Sequence, residues 1–120
     1  MNSILQFMIV GGTFIYIMSE RGLVKKIETA TPIERVCVAR QGTVAVLMKE
    51  DDVSYVRLYD KKGQELASGE FYQEKGSFPV DIALAPDAQK LAVDMLDVTK
   101  GKTCSTVTFY NFGSVGQNEI

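Results

Sequence analysis

The fold of this chain is decided by the stretch Val56-Arg57-Leu58-Tyr59-Asp60-Lys61-Lys62-Gly63. It joins a β-branched and aromatic strand to a polar turn that ends in Gly. The same phrase occurs earlier as Ile15-Tyr16-Ile17-Met18-Ser19-Glu20-Arg21-Gly22. It occurs later, with a turn one residue shorter, as Val107-Thr108-Phe109-Tyr110-Asn111-Phe112-Gly113. The copies begin 41 and 51 residues apart, a period typical of repeat architectures in which each unit buries its faces against its neighbours.

Strand patterns dominate the whole chain, and no stretch of ten residues has clean helical spacing. The run 43–48 is apolar at both alternating positions, which predicts a strand covered on both faces, and 91–96 holds the corresponding place in the next unit. The sequence predicts strands over 5–10, 14–19, 23–28, 35–40, 43–49, 54–60, 65–70, 80–85, 90–97 and 104–111.

These strands predict an all-β fold of antiparallel four-stranded blade repeats, a partial β-propeller of about two and a half blades. Residues 1–120 form a single domain in this interpretation, with an incomplete unit over about 1–30, a complete unit over 31–75, and a unit lacking its outer strand over 76–120. A β-sandwich is the alternative. Small residues are expected on the inner strands, where blades converge, at Ala39, Ala45, Ala83 and Ala92.

Three connections carry specific expectations. Asp60-Lys61-Lys62-Gly63 places Gly where a hairpin turn needs a left-handed residue. Pro86-Asp87 predicts a type I turn, followed by Ala88 where Gly is usual, so the turn either differs or bears about 1 kcal/mol of strain. The polar segment from Glu70 to Ser77 is predicted as the loop between units, closed by Phe78-Pro79.

Composition excludes several function classes. The net charge of −2 gives no reason to expect nucleic acid, and the basic pairs Lys25-Lys26 and Lys61-Lys62 lie beside turn glycines. The chain has no His, and Cys37 and Cys104 stand 67 residues apart without a zinc pattern. Cys37 is interpreted as a core residue and Cys104 as a free thiol, with a disulfide between them the minority alternative. No metal or cofactor is expected.

The apolar stretch Ile4–Val10 is seven residues long and ends at Gly11-Gly12. A membrane span needs about 20 apolar residues, and a signal peptide needs a basic start. We therefore expect no membrane segment and a soluble chain.

The candidate carboxylates for catalysis or cation binding are those of Asp81, Asp94 and Asp97. Paired carboxylates can serve as acid and base or hold a hard cation. Without His, structural hydrogen bonds to backbone or Thr are the favoured role. No serine lies in the Gly-x-Ser-x-Gly pattern typical of serine hydrolases. The recurring tyrosines Tyr16, Tyr55, Tyr59 and Tyr110 are expected to pack in the core or between blades, rather than to form a platform for a sugar or peptide.

The resulting expectation is a non-catalytic interaction or scaffold segment with no catalytic, cofactor-binding or metal residues. A truncated fragment without independent activity is one alternative, and a propeller-type hydrolase or lyase using Asp81, Asp94 and Tyr110 is another. Open strand edges or blade faces predict self-association, most simply as a two-fold dimer. A protein or glycan partner is the other expectation.

Several segments carry a resemblance to a known family, above all Phe109-Tyr110-Asn111-Phe112-Gly113-Ser114-Val115-Gly116-Gln117-Asn118-Glu119. Together with 32–60, 78–108 and 12–29, this segment resembles an uncharacterised family of Gram-positive bacteria. Its members are larger than this chain and resemble β-propellers held at the membrane by one N-terminal helix. The turn Ala85–Val93 is similar to that of TolB-type and WD-repeat-like blades, apart from Ala88.

The resemblance implies that the chain corresponds to an internal piece of such a propeller. It also implies a membrane-tethered protein outside the cytoplasm. It lends no catalytic residue, because the family has no established activity.

Overall fold

The computed structural model describes residues 6–73, 76–98 and 103–111. Within them lie ten β-strands in three antiparallel sheets. The first sheet contains β1 (Gln6–Val10), β2 (Phe14–Ser19) and β3 (Gly22–Glu28). The middle sheet contains β4 (Ile33–Val38), β5 (Val44–Glu50), β6 (Val53–Tyr59) and β7 (Glu65–Tyr72). The third sheet contains β8 (Ser77–Leu84), β9 (Lys90–Asp97) and β10 (Cys104–Asn111).

Within each sheet the strands pair in chain order, so every sheet is a meander of hairpins. The all-β antiparallel fold predicted from the sequence is confirmed, and none of the three sheets closes into a barrel. The three copies of the repeated phrase begin on β2, β6 and β10; β2 is the second strand of its sheet, whereas β6 and β10 are the third strands of theirs.

The middle sheet is covered on both faces. Alternate residues of β5 point to opposite sides, so Val44, Val46 and Met48 join one core cluster with residues of the first sheet, including Ile15 and Ile17. The other residues of β5, Ala45 and Leu47, join a second cluster with the third sheet.

All five of these β5 side chains are at most 1% exposed. The prediction of a strand buried on both faces is therefore confirmed for β5.

Seven of the ten strands have boundaries that differ from the prediction by one to three residues, and the largest shift lies between the middle and third sheets. The segment Glu70–Ser77 is not a continuous loop, because β7 continues to Tyr72 and β8 begins at Ser77. Backbone pairing extends both strands, with Phe71 opposite Ser54 and Phe78 opposite Leu96. The predicted loop closure at Phe78-Pro79 is wrong for the same reason.

The small inner-strand residues do not share one environment. Ala39 and Ala45 are buried, as the sequence predicts, with exposed fractions of 4% and 0%. Ala83 is exposed and Ala92 is half-buried. Both lie on the face of the third sheet that points away from the middle sheet, so the predicted crowding is wrong for Ala83.

Gly63 adopts the predicted left-handed conformation in the β6–β7 turn, with φ of +82°. The carboxylate of Asp60 accepts hydrogen bonds from the backbone N–H groups of Lys62 and Gln64 at 2.8 and 2.9 Å. A Cβ at position 63 would lie 2.6 Å from Cε of Lys25. The aliphatic part of the Lys25 side chain, on the first sheet, therefore lies across the β6–β7 turn of the middle sheet. Gly63 has no side chain that would clash with it.

Ala88 in the β8–β9 turn also has a positive φ, +62°. Its N–H donates to the carbonyl of Ala85 at 2.8 Å, and the N–H of Gln89 donates to the Asp87 carboxylate at 3.0 Å. The turn is tied to the neighbouring sheet, because the N–H of Arg40 donates to the carbonyl of Pro86 at 3.1 Å. Of the two alternatives that the sequence left open, a different turn or a strained Ala88, this positive φ agrees with the second.

Replacing Ala88 with Gly should stabilise the chain. Left-handed backbone costs a residue with a Cβ about 1–2 kcal/mol, and the extra freedom of Gly in the unfolded chain offsets about half of this. The Ala88→Gly melting temperature should rise by about 2–5 °C. Ala85→Gly is the matched control, since Ala85 has no positive φ, and it should melt below the parent. A lower melting temperature for Ala88→Gly would contradict the turn geometry.

Candidate functional site

The structure brings Asp81 and Asp94 together on the face of the third sheet that points away from the middle sheet, which we call the leading face. The two residues are direct partners across β8 and β9. Asp97 pairs instead with Ser77 and Cys104 at the end of β9, three residues further along the strand than Asp94. The sequence predicted adjacent strands for Asp81 and Asp94, and that placement is confirmed.

Both carboxylates have local partners. Asp94 accepts a hydrogen bond from the hydroxyl of Ser105 on β10 at 3.1 Å. Asp81 accepts one from the N–H of Ile82 at 2.9 Å, and its Oδ1 lies 3.6 Å from Nε of Arg35 on the middle sheet. The ion pair is solvent-exposed, and exposed pairs of this kind contribute about 0–1 kcal/mol. These contacts orient the two side chains within the leading face.

An apolar recess lies beside the two carboxylates. Ala83, Ala92 and Val107 line a shallow recess of about 190 Å³ beside them. Val107 is 54% exposed and Phe109, two residues further along β10, is 67% exposed. An exposed surface that combines aliphatic and aromatic groups with fixed polar groups is characteristic of binding surfaces.

Tyr110 does not join Asp81 and Asp94. It packs against the core between the middle and third sheets, where its ring meets Phe71 edge-on with centroids 6.4 Å apart. Because Tyr110 and Phe109 are neighbours on one strand, they point to opposite faces. Burial accordingly raises the pKa of the Tyr110 hydroxyl above its ordinary value. The three residues weighed for a hydrolase or lyase are thus divided between two faces of the sheet.

The other tyrosines fall into two groups. Tyr59 is 6% exposed in the core between the first and middle sheets, and Tyr55 packs against that core. Tyr16 lies on the outer face of the first sheet, with its ring centroid 4.8 Å from that of Phe14 and 5.6 Å from Nζ of Lys26. The expected packing role is confirmed for Tyr55, Tyr59 and Tyr110.

Sequence reasoning missed a cleft of about 250 Å³ between the middle and third sheets. Its lining comprises Glu34, Arg35, Lys49, Phe78, Pro79 and Val80. The ammonium of Lys49 lies 5.4 Å from the Phe78 ring centroid, a cation–π contact between the two sheets. The sequence predicts Phe78 at the end of a loop, and no local pattern indicates that β8 runs beside β4 and β5.

Within the described ranges, no three Cys, Asp or Glu side chains are placed to share a metal ion. Both thiols are free, with Cys37 half-buried against the core and Cys104 exposed. Burial raises the pKa of the Cys37 thiol from 9.0 to about 11.

Cys37 should therefore react far more slowly than Cys104. At pH 8, about one Cys37 thiol in a thousand is ionised. Mass spectrometry after limited iodoacetamide treatment should find the adduct on Cys104. Equal labelling of the two thiols would contradict the buried position of Cys37.

The same shift links stability to pH. Because the pKa of the Cys37 thiol is higher in the folded state, the folded chain keeps this proton to a higher pH than the unfolded chain does. The stability that this difference contributes is fully present below pH 9 and is lost as the pH rises through about 11. The parent should lose more stability over this interval than Cys37→Ala, in which Tyr110 still titrates. Parallel pH profiles of the two chains would contradict the shift.

Comparison with known proteins identifies a family. The family model of DUF5711, a family of unknown function, matches residues 8–120, and the chain belongs to this family. No curated protein matches the chain. In the part of the chain that the structure describes, no helix has the length and apolar character needed to cross a bilayer.

Proposed function

We propose that this chain is a non-catalytic interaction segment that binds a protein through the leading face of its third sheet. The observation that carries the proposal is the exposure of Phe109 and Val107, at 67% and 54%, beside the recess at Ala83 and Ala92. Large aromatic side chains held on a rigid sheet bury much area at low entropic cost, which makes them common binding anchors.

We further propose that the three sheets are blades of a β-propeller-type scaffold, with units over about 1–30, 31–75 and 76–120. Two features support this proposal. The middle sheet is packed on both faces, as a blade between two others is. In addition, the repeated phrase begins on one strand of each sheet, and that strand pairs in each case with the strand just before it in the chain: β2 with β1, β6 with β5 and β10 with β9. From the family resemblance, the proposal also places the protein outside the cytoplasm, tethered to the membrane. A glycan is the alternative kind of partner.

The position of Tyr110 supports a non-catalytic role. Tyr110, the third residue weighed for a hydrolase or lyase, is on the opposite face of the sheet from Asp81 and Asp94, so it would not contact a substrate held by those two carboxylates. We expect the purified chain to release no product from ester, phosphate or polysaccharide substrates. An activity that is present in the parent and lost in Asp94→Asn would overturn this part of the proposal.

Photocrosslinking tests the binding role directly. A benzoylphenylalanine side chain at position 109, in cells that produce the protein, should form protein adducts on irradiation. The matched control is the same side chain at position 66, because Leu66 is also an exposed apolar residue, at 44%, on the outer strand of the middle sheet. Adducts at position 109 that equal those at position 66, or none at either, would contradict the proposal.

A further inference from the structure

The cleft of about 250 Å³ between the middle and third sheets lies where β4 and β8 begin and β5 ends. Its walls come from two sheets that pack directly on each other, so the cleft does not depend on either outer face of the stack. Side chains of opposite charge and an apolar wall meet in it, which is the composition of a small-ligand site.

Arg35 lies in the cleft because of a β-bulge in β4. Ile33 pairs with Met48 and packs toward the first sheet. Arg35 pairs with Leu47, which faces the third sheet. Glu34, between them, is an extra residue in β4. Because side chains alternate along a strand, Ile33 and Arg35 would share a face without it. The bulge therefore directs Arg35 away from the first sheet and into the cleft.

Strand β8 contributes a second bulge to the same cleft. Its register shifts between Pro79 and Asp81, so Val80 is the extra residue there. Pro79 is fully buried, and Pro79 and Val80 form an apolar wall beside the ring of Phe78. Bulges are common next to binding sites, where they redirect a side chain. Two bulges facing one cleft therefore indicate a site.

The two cationic groups of the cleft keep N–H donors for a ligand. Nη1 of Arg35 donates to the carbonyl of Glu34 at 2.9 Å, and the 3.6 Å from Nε to the Asp81 carboxylate is too long for a hydrogen bond. The ammonium of Lys49 lies over the Phe78 ring. Among the described residues, that ammonium has no carboxylate within ion-pair distance. Both groups can therefore donate to an acceptor in the cleft.

The charges of the cleft favour a ligand with one negative charge. Arg35 and Lys49 are cations, but Asp81 is paired with Arg35 and the carboxylate of Glu34 also lines the cleft. These two carboxylates repel a phosphate, with nearly two negative charges, more strongly than a monoanion. The volume is below the roughly 300–1,000 Å³ of clefts that hold drug-sized ligands. The ligand is accordingly small and carries a single carboxylate.

We propose that this cleft binds a carboxylate attached to a short apolar group. The carboxylate lies between Arg35 and Lys49, and the apolar group packs on Pro79 and Val80. A short-chain organic acid and the C-terminal residue of a peptide both present this chemistry. The site is additional to the proposed function and does not rest on the leading face.

Titration of the full chain with butyrate tests the site, followed in amide nitrogen–proton correlation spectra at constant ionic strength. Saturable shifts are expected for the amides of Arg35, Lys49, Phe78 and Val80. The dissociation constant should be millimolar, because both cations are partly exposed to water. Butyramide, which has the same shape without the charge, should leave these amides unshifted. Equal shifts with butyramide, or shifts that never saturate, would overturn the inference.

Two further probes define the ligand. Acetyl-alanyl-alanine carries its carboxylate at the end of a peptide, so tighter binding than butyrate identifies a peptide terminus and weaker binding a free organic acid. Inorganic phosphate should bind more weakly than either. Phosphate that bound more tightly than both carboxylates would overturn the assignment.

Four variants test the roles of the side chains. Lys49→Met and Arg35→Gln should each weaken butyrate binding at least about fivefold. Glu34→Gln should strengthen it about twofold or more, because it removes a repelling carboxylate. Loss of structure would not produce that gain. The matched control is Lys90→Met, since Lys90 is exposed at the other end of β9, and it should bind like the parent. Unchanged affinity in Lys49→Met, or weaker binding by Glu34→Gln, would place the carboxylate elsewhere and overturn the inference.

Discussion

A Val93→Asp chain is expected to melt at least about 12 °C below the parent, because the new carboxylate would be buried without a partner. Val93 is 0% exposed in the core between the middle and third sheets. The cost should exceed about 4 kcal/mol, a large part of the roughly 5–15 kcal/mol that holds a domain of this size together.

Val98→Asp provides the matched control. Val98 follows directly after β9 and its side chain is 43% exposed, so the same chemical change there should leave the melting temperature within a few degrees of the parent. A Val93→Asp chain that melted within a degree or two of the parent would mean that β9 does not face the middle sheet.

Substitution of neighbouring residues on β5 should show that both faces of the middle sheet are buried. In a sheet with one covered face, a charge is tolerated at every second position. Val46 faces the first sheet and Leu47 faces the third, and both are 0% exposed. Val46→Asp and Leu47→Asp should therefore each cost more than about 3 kcal/mol, as measured by urea denaturation.

Val38→Asp is the control for this pair, since Val38 lies on β4 of the same sheet and is 46% exposed. It should cost less than about 1 kcal/mol. If either Val46→Asp or Leu47→Asp were as mild as Val38→Asp, one face of β5 would be open to solvent and the three-sheet stack would be wrong.

The strands and turns could be predicted because their signals are local. A few neighbouring residues are enough to predict each of three features: the alternating apolar residues of β2, the apolar run of β5, and the glycine of the β6–β7 turn. The Pro86-Asp87 turn could be predicted for the same reason, but whether Ala88 would adopt a positive φ or the turn would change could not, and the structure shows the positive φ.

Longer-range features could not be predicted from local patterns. Strand β7 continues through the polar Glu70 because that residue pairs with Tyr55 on β6, and pairing of this kind overrides local propensity. The direct pairing of Asp81 with Asp94 depends on a register shift between Pro79 and Asp81. The cleft at Lys49 and the leading face depend on how whole sheets stack, which no segment of the sequence records.

The most direct test of the stack is a methyl NOESY spectrum of the chain with labelled Ile, Leu and Val. Cross-peaks should join Ile15 and Ile17 of the first sheet to Val44 and Val46 of the middle sheet. A second set should join Leu91 and Val93 of the third sheet to Leu47, Val56 and Leu58 of the middle sheet. Cross-peaks that joined Ile17 directly to Leu91 within one molecule would contradict the account, because they would require a two-layer sandwich in which the first and third sheets touch.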